Sequence, residues 1–156
     1  MPLTQLGDGS DAILTWRIET TKDRVWECLT NAEALGQWLG ELVEGAVRLG
    51  QDFVVDHGDG YLCSSSVVTC IEGEHLGYTW QFPDEPPSRV TFVLEEEPDG
   101  STVVRLRHSG LGDLTESYRV GWCVHFTYLE AASRGAPLPP SMFWPLHATM
   151  EKLSSR

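Results

Sequence analysis

The chain has 156 residues, which is long enough for one domain that buries roughly two thirds of its unfolded surface without disulfide bonds. It carries 23 acidic and 11 basic residues, a formal net charge of -12, and no cluster of lysine or arginine. Because nucleic acids and anionic membranes attract positive patches, this charge argues against both classes of partner.

The cysteines favour a reducing compartment. Cys28, Cys63, Cys70 and Cys123 occur singly, without a C-x-x-C pair or a secretory signal, so the sequence predicts a cytoplasmic protein. No apolar run in the sequence approaches the length that crosses a bilayer. Apolar periodicity places Cys28 in the core, whereas Cys123 falls on a polar stripe that predicts an exposed thiol.

The first part of the sequence divides into a leader and the start of a domain. Residues 1–11 are polar and glycine-containing and are expected to form a flexible leader. The domain is predicted to span residues 12–135. Its first strand is indicated by Leu14, Trp16 and Ile18, which alternate with polar residues as in a strand with one buried face.

Two short helices are predicted after this strand. The first begins after a capping residue, Thr20 or Thr21, and the second begins at Asn31 and ends near Gly40. Their apolar residues recur at helical spacing: Val25, Trp26, Leu29, Leu35, Trp38 and Leu39.

Strand patterns joined by turn residues make up the middle of the chain. They cover residues 51–56, 61–71, 75–82, 88–97 and 101–109. The strongest hairpin signal is Asp99-Gly100. Alternation selects the side chains that face the interior: Tyr78, Trp80, Phe82, Val90, Phe92, Leu94, Val104, Leu106 and His108.

The register of the strand at residues 61–71 stays open at this point. One face would carry Cys63, Ser65 and Val67, and the other would carry Leu62, Ser64 and Val68. Both faces mix apolar and small polar side chains, so the pattern does not decide between them.

A long helix is predicted over residues 114–134. Its polar residues fall on one narrow stripe: Glu116, Arg119, Cys123, Thr127, Glu130 and Arg134. The rest of its circumference is apolar, so the helix must be enclosed on more than one side. The sequence therefore predicts an α+β fold in which a curved antiparallel sheet wraps around this helix and leaves a cavity between them.

A proline-rich apolar tail covers residues 136–156. Three prolines interrupt the helix, and a short helical segment up to Leu153 follows. The tail carries large apolar groups: Met142, Phe143, Trp144 and Leu146. Three fates are open: the tail folds back over the domain, closes the mouth of the pocket, or docks on a second subunit to make a homodimer.

The ordered motifs carry a family resemblance. Residues 24–38, RVWECLTNAEALGQW, resemble the opening of the START-like (SRPBCC) superfamily, in the group related to the activator of heat-shock protein 90 ATPase. The later landmarks follow in the same order: LGYTW at 76–80, VTF at 90–92, DGST at 99–102, RHSGL at 107–111, and GW at 121–122 followed by Phe126. The resemblance covers about residues 12–132.

The resemblance implies a helix-grip fold with a hydrophobic cavity between the sheet and the C-terminal helix. It does not imply one activity, since the superfamily includes lipid carriers, hormone receptors, polyketide cyclases, ring-hydroxylase subunits and co-chaperone domains. Two features depart from the pattern. Phe126 stands where a smaller aliphatic residue is usual, which would narrow the cavity, and the tail extends past the normal end of the domain.

The candidate site is built mainly from aromatic residues. The walls of a pocket for an apolar or aromatic ligand would come from Trp38, Tyr61, Tyr78, Trp80, Phe92, Trp122 and Phe126. The alternative is that these residues form a filled core, because aromatic side chains at strand and helix spacing are usually core residues.

Two inward histidines, His108 and His125, complete the candidate set. As a site residue, each would hydrogen-bond a ligand or act as a general base. The alternative is a structural histidine. We favour this alternative, because the sequence places no carboxylate to orient either ring. No metal site is predicted, because the Asp56-His57 turn is typical of a loop that satisfies its own backbone.

The leading hypothesis is a protein that binds a small hydrophobic or aromatic ligand. One alternative is a cyclase, dehydratase or hydrolase acting on an aromatic or polyketide-like molecule, with His108, His125 or Tyr78 moving protons. Another is a chaperone-associated protein-interaction module. No catalytic residue and no cofactor is assigned, because the sequence has no P-loop, Rossmann fingerprint or G-x-S-x-G elbow.

Overall fold

One antiparallel sheet curves around a long helix. The structure is a computed structural model and describes residues 2–5 and 11–154. In chain order its elements are β1 (Pro2–Gln5), β2 (Ala12–Ile18), α1 (Lys22–Thr30), α2 (Ala32–Leu35), β3 (Glu41–Gly45), β4 (Asp52–Asp56), β5 (Leu62–Ile71), β6 (His75–Trp80), β7 (Ser88–Glu96), β8 (Thr102–Ser109), α3 (Thr115–Ser133) and α4 (Phe143–Ser154). Short 3-10 turns precede α3 and α4.

The eight described strands are arranged in the order β1-β2-β8-β7-β6-β5-β4-β3, so that β3 to β8 form a meander and β2 pairs with β8. Because every described pair is antiparallel and α3 packs in the curve of the sheet, the predicted α+β helix-grip class is confirmed. None of the helices in the described residues is long and apolar enough to span a membrane.

Local signals placed several elements correctly. The side chain of Thr21 accepts a hydrogen bond from the backbone N–H of Arg24 and caps α1, and Asn31 caps α2 in the same way. Asp99 and Gly100 form the β7–β8 turn, where Gly100 has a φ of 88° that glycine adopts without strain. These contacts are local, so the sequence alone was enough to predict them.

The register of β5 is settled by its neighbours. Cys63, Ser65 and Val67 are buried, whereas Leu62 and Val68 are exposed. Val67 lies opposite Tyr78 of β6, and Cys63 lies opposite Val55 of β4. The inner face is therefore chosen by pairing with strands whose own patterns are clear.

The structure corrects the segment after α2. The sequence pattern predicts a helix to Gly40 and no strand between Gly40 and residue 51, but α2 ends at Leu35 and β3 follows at Glu41–Gly45. β3 is an edge strand whose side chains are mostly exposed, so it has no buried face to create an alternating pattern.

The start of the chain also differs from the flexible leader predicted for residues 1–11. The backbone of Pro2–Gln5 pairs with β2 and forms the other edge of the sheet. The remaining leader residues, 1 and 6–10, lie outside the described residues.

The space between α3 and the sheet is filled with aromatic rings. The four rings at its centre are each less than 2% exposed: Tyr78, Phe92, Trp122 and Phe126. Phe126 lies edge-on to Trp16 at 5.7 Å between ring centroids, and Phe92 lies edge-on to Trp122 at 5.8 Å. The part of the fold that the sequence pattern assigns to a cavity is therefore packed as a core.

The stripe of polar residues on α3 is less exposed to solvent than the sequence predicts. Cys28 is buried as predicted, but Cys123 is half-buried rather than exposed, and burial raises the pKa of its thiol. Trp16 reaches across from β2 and donates a hydrogen bond from Nε1 to Glu130 on this stripe, at 2.8 Å. The helix is enclosed on this side by β2.

Candidate functional site

Two clefts open at one end of the fold, beside the filled core. The larger, which we call the Trp38 cleft, has a volume of about 500 Å³ and lies between residues 36–41, the β4–β5 turn at residues 56–59, α3 and the start of α4. The smaller, the Trp80 cleft, has a volume of about 170 Å³. Its walls are mainly aromatic and include Tyr61, Trp80, Phe82, Tyr118 and Trp122.

The two clefts share one wall. In the described part of the chain, four residues border both of them: His57 from the β4–β5 turn, His125 from α3, and Phe143 and Trp144 from the start of α4. We call these four residues the partition. A ligand that passed the partition would occupy both clefts.

The tail supplies half of the partition because it folds back on α3. Phe143 lies against His125 at 4.8 Å and against Tyr128 at 5.5 Å between ring centroids. Tyr128 donates a hydrogen bond from its hydroxyl to the carbonyl oxygen of Pro139 at 2.6 Å, which holds the segment that leads into α4. The start of the tail therefore packs on α3, and Phe143 and Trp144 border both clefts.

The tautomer of His125 follows from one hydrogen bond. Its Nδ1 lies 2.9 Å from the carbonyl oxygen of Trp38. Because a carbonyl oxygen only accepts, Nδ1 carries the proton and donates it, and Nε2 keeps its lone pair. Burial lowers the pKa of His125 to about 4, so the ring is neutral at pH 7. Trp38 is itself held by a hydrogen bond from Nε1 to the carbonyl oxygen of Cys28 at 2.7 Å.

His57 has a buried nitrogen without a partner. Its Nε2 has almost no exposed surface and accepts or donates no hydrogen bond within the described part of the chain. The ring lies edge-on to Trp80 at 5.3 Å, to Phe82 at 5.1 Å and to His125 at 5.8 Å between centroids. Burial, and then the neighbouring His125, lower the pKa of His57 to about 3, so this ring is also neutral at pH 7.

The turn that carries His57 satisfies its own backbone. Asp56 accepts hydrogen bonds from the backbone N–H groups of Gly58 and Gly60, at 2.8 and 3.2 Å. Its carboxylate is thus used by the loop. The described residues contain no group of three or more His, Cys, Asp or Glu side chains arranged to hold a metal ion.

His108 is a structural histidine. Its Nδ1 accepts a hydrogen bond from Nε1 of Trp122 at 2.9 Å, so Nε2 carries the proton and donates it to the hydroxyl oxygen of Ser88 at 2.7 Å. The side chain is fully buried, and burial lowers its pKa to about 3. Both nitrogens are occupied, so His108 positions Trp122 and borders neither cleft.

The outer rim of the Trp80 cleft is acidic. Trp80 donates from Nε1 to the hydroxyl oxygen of Tyr118 at 2.9 Å, and Tyr118 donates its proton to Glu85. Tyr61 donates to Asp84 at 2.6 Å and stacks on Phe82 at 4.1 Å between ring centroids. Carboxylates that accept these hydrogen bonds keep negative charge at the rim, which disfavours an anionic ligand.

The structure separates the nine candidate residues into two groups. Five border a cleft: Trp38, Tyr61, Trp80, Trp122 and His125. Four fill the core behind the clefts: Tyr78, Phe92, His108 and Phe126. Alternation along a strand shows which side chains point inward, but it does not show how close each one lies to the open end.

Sequence reasoning missed three of the four partition residues as site residues. The sequence presents Phe143 and Trp144 as an apolar cluster in the tail, for which closing the mouth of the pocket is one of three predicted arrangements. His57 lies in a glycine-containing turn and follows no helix or strand pattern. Its position against His125 depends on contacts between elements 68 residues apart in the sequence.

A family model agrees with this architecture. The model described as Activator of Hsp90 ATPase homolog 1-like protein matches residues 19–133. The chain belongs to this family. The assignment confirms the START-like resemblance read from the motifs, and it covers strands β3 to β8 and α3 up to the last residue of that helix. No curated protein matches the chain in sequence.

Solved structures share the fold of this family member. CalU16 from Micromonospora echinospora is 25% identical, with a TM-score of 0.73, and the match covers 94% of this chain and 89% of CalU16. MLL2253 from Mesorhizobium loti is 23% identical, with a TM-score of 0.73 and coverage of 82% and 99%. DynU16, a protein of the dynemicin biosynthetic locus, is 22% identical, with a TM-score of 0.74 and coverage of 82% and 49%.

Proposed function

We propose that this protein binds a small, neutral, hydrophobic or aromatic molecule at the open end of the helix grip. The observation that carries the proposal is the pair of clefts that meet at the partition, one of them walled mainly by aromatic rings. Binding sites for small molecules are typically concave and apolar with few polar groups. The aromatic end of the ligand would lie in the Trp80 cleft, and the rest would extend past Phe143 into the Trp38 cleft.

The family supports a ligand-binding role without naming a ligand. The fold is consistent with ligand binding. One structural neighbour, DynU16, belongs to a biosynthetic locus, which favours a small molecule over a macromolecule as the ligand class. We further propose that the protein acts in the cytoplasm, as the absence of a C-x-x-C motif from its sequence predicts.

The histidines favour binding over proton transfer. A general base works best when its pKa lies near the working pH, whereas burial holds the pKa of His125 at about 4. Both nitrogens of His108 are already hydrogen-bonded, and Tyr78 is 1% exposed. A cyclase, dehydratase or hydrolase that uses these residues is therefore the weaker alternative.

A protein-interaction module is the alternative that the filled core favours. Several apolar side chains of the tail are exposed, including Met142, Trp144 and Leu153. They would suit contact with a protein partner or a second copy of the chain. Native mass spectrometry distinguishes these states, because a bound small molecule adds a few hundred daltons, whereas a homodimer doubles the mass.

Filling the Trp80 cleft from α3 tests the proposal. Gly121 borders this cleft, and a Cβ added there meets no heavy atom within 4 Å. We expect 2-naphthol to bind the wild-type protein with a Kd on the order of 10–100 μM. G121L is expected to weaken that binding by about tenfold, because its side chain occupies the cleft. The same change should raise the free energy of unfolding by about 0.5–1 kcal/mol, because glycine is a poor helix former.

Titration calorimetry measures the affinity, and urea unfolding measures the stability. G121A is the matched control. Alanine also has a higher helix propensity than glycine, but it adds only one carbon, so G121A should keep most of the affinity for 2-naphthol. If urea unfolding shows that G121L is at least as stable as the wild type, a loss of binding is not due to unfolding. Wild-type affinity in G121L would exclude the Trp80 cleft as the site.

Removing the aromatic ring of Phe143 tests the passage between the clefts. F143A is expected to bind a longer probe, 2-hydroxyanthracene, several-fold more tightly than the wild type, because the ring no longer separates the two volumes. L146A is the control, since Leu146 also packs from α4 against the core but borders neither cleft. If F143A binds this probe less tightly than the wild type, Phe143 is a wall of the site and the clefts act separately.

A further inference from the structure

We propose that His57 and His125 together hold a hydroxyl group of the ligand, so that the site selects a hydroxylated aromatic molecule over the same aromatic without a free hydroxyl. This inference rests on the proposed function and names the ligand class for the same clefts. It adds His57, which lies in the β4–β5 turn, to the residues that recognise the ligand.

The first observation is the orphaned nitrogen of His57. Buried polar atoms are nearly always hydrogen-bonded, because leaving one without a partner costs the full desolvation of the group. Nε2 of His57 has no partner among the described residues and almost no exposed surface among the rings around it. A ligand hydroxyl would therefore reach it when the imidazole turns toward one of the two clefts that the ring borders.

The second observation is the fixed tautomer of His125. Since Nδ1 donates to the carbonyl oxygen of Trp38, the second nitrogen of His125 presents a lone pair and can only accept. No protein hydrogen bond to that nitrogen is found in the described residues. It therefore suits a ligand group that donates a proton, such as a hydroxyl, and does not suit an ether or a ketone oxygen.

A hydroxyl is the group that satisfies both rings. It donates its proton to Nε2 of His125, and its oxygen accepts the proton of His57 when that ring is protonated on Nε2. The ring centroids are 5.8 Å apart, which is compatible with one oxygen within hydrogen-bond reach of both rings. Both rings are neutral at pH 7, and the rim carries Glu85, so the hydroxyl should be bound in its neutral form.

Three probes of nearly the same shape test the inference. 2-Naphthol both donates and accepts a hydrogen bond, 2-methoxynaphthalene only accepts, and naphthalene does neither. We expect the wild-type protein to bind 2-naphthol about tenfold more tightly than 2-methoxynaphthalene. H57F and H125F should each reduce this ratio several-fold, because each removes one of the two nitrogens but keeps an aromatic ring. H75F is the matched control, since His75 lies on β6 and borders neither cleft.

The outcomes separate this inference from the proposed function. A ratio that stays at the wild-type value in H57F overturns the role of His57. Equal affinity of the wild type for all three probes overturns hydroxyl recognition but leaves apolar binding in place. If no probe binds, both proposals fail. Should H57F not fold, heteronuclear NMR of the wild-type imidazole nitrogens decides: Nε2 of His57 should shift with 2-naphthol and not with 2-methoxynaphthalene, and an unchanged signal overturns the inference.

Discussion

Acidification from pH 7 to pH 5 is expected to lower the free energy of unfolding by about 6 kcal/mol, or about 2 kcal/mol for each of three histidines that the fold holds neutral. The three are His57, His108 and His125, whose pKa values in the folded protein are held at about 3, about 3 and about 4, in each case mainly by burial. In the unfolded chain a histidine has a pKa of about 6.5. The unfolded state therefore binds more protons than the folded state below that pH.

The direction in which the free energy of unfolding changes with pH follows from this difference in bound protons. Stability rises with pH wherever the unfolded state binds more protons, so the contribution is complete above about pH 6.5 and is lost as the pH falls toward about 3. Most aspartates and glutamates of an unfolded chain stay ionised at pH 5, which assigns the loss between pH 6.5 and 5 chiefly to histidine. A domain with ordinary stability would be close to unfolding at the lower end of this range.

Urea unfolding at pH 7, 6 and 5 measures the effect. H57F should reduce the loss of unfolding free energy between pH 7 and pH 5 by about a third, because phenylalanine does not titrate. Repeating the series at higher salt screens the surface charges that follow from the net charge of -12 and leaves the buried contribution in place. Equal stability at pH 7 and pH 5 would mean that the three imidazoles are not held neutral by burial.

Truncation of Phe126 is expected to destabilise the protein by about 3–5 kcal/mol. This side chain is 0% exposed and lies in ring contact with Trp16, Phe92 and Trp122. F126A removes those contacts and leaves a hole that the packed neighbours can only partly close. Because the hole is apolar, benzene should bind in it and raise the Tm of F126A without raising that of the wild type.

The matched control is W144A, which removes an aromatic ring that is 64% exposed. It should change the free energy of unfolding by no more than about 0.5 kcal/mol. A loss of less than about 1 kcal/mol in F126A would show that a cavity already lies beside this ring. In that case the ligand site would extend into the centre of the fold, as the sequence pattern predicts, rather than stopping at its mouth.

The sequence by itself determined the fold class and most of its elements. Thr21 and Asn31 cap their helices through contacts three residues away, and Asp99-Gly100 closes its hairpin within one turn. The apolar circumference of α3 required enclosure on more than one side, and the strand patterns that fill the middle of the chain predicted that a sheet encloses it. These features depend on periodicity or on neighbours close in the chain, so one sequence contains the information for them.

The tertiary structure alone decided which of the inward residues meet open space. Trp80 and Tyr78 share one face of β6, yet Trp80 borders a cleft and Tyr78 is packed in the core. The edge strand β3 has no buried face and so produced no pattern. The meeting of His57, His125 and Phe143 joins a turn, a helix and the tail. A cleft is the volume left over after distant elements have packed, and no local pattern encodes such a volume because packing is a property of the whole set of contacts.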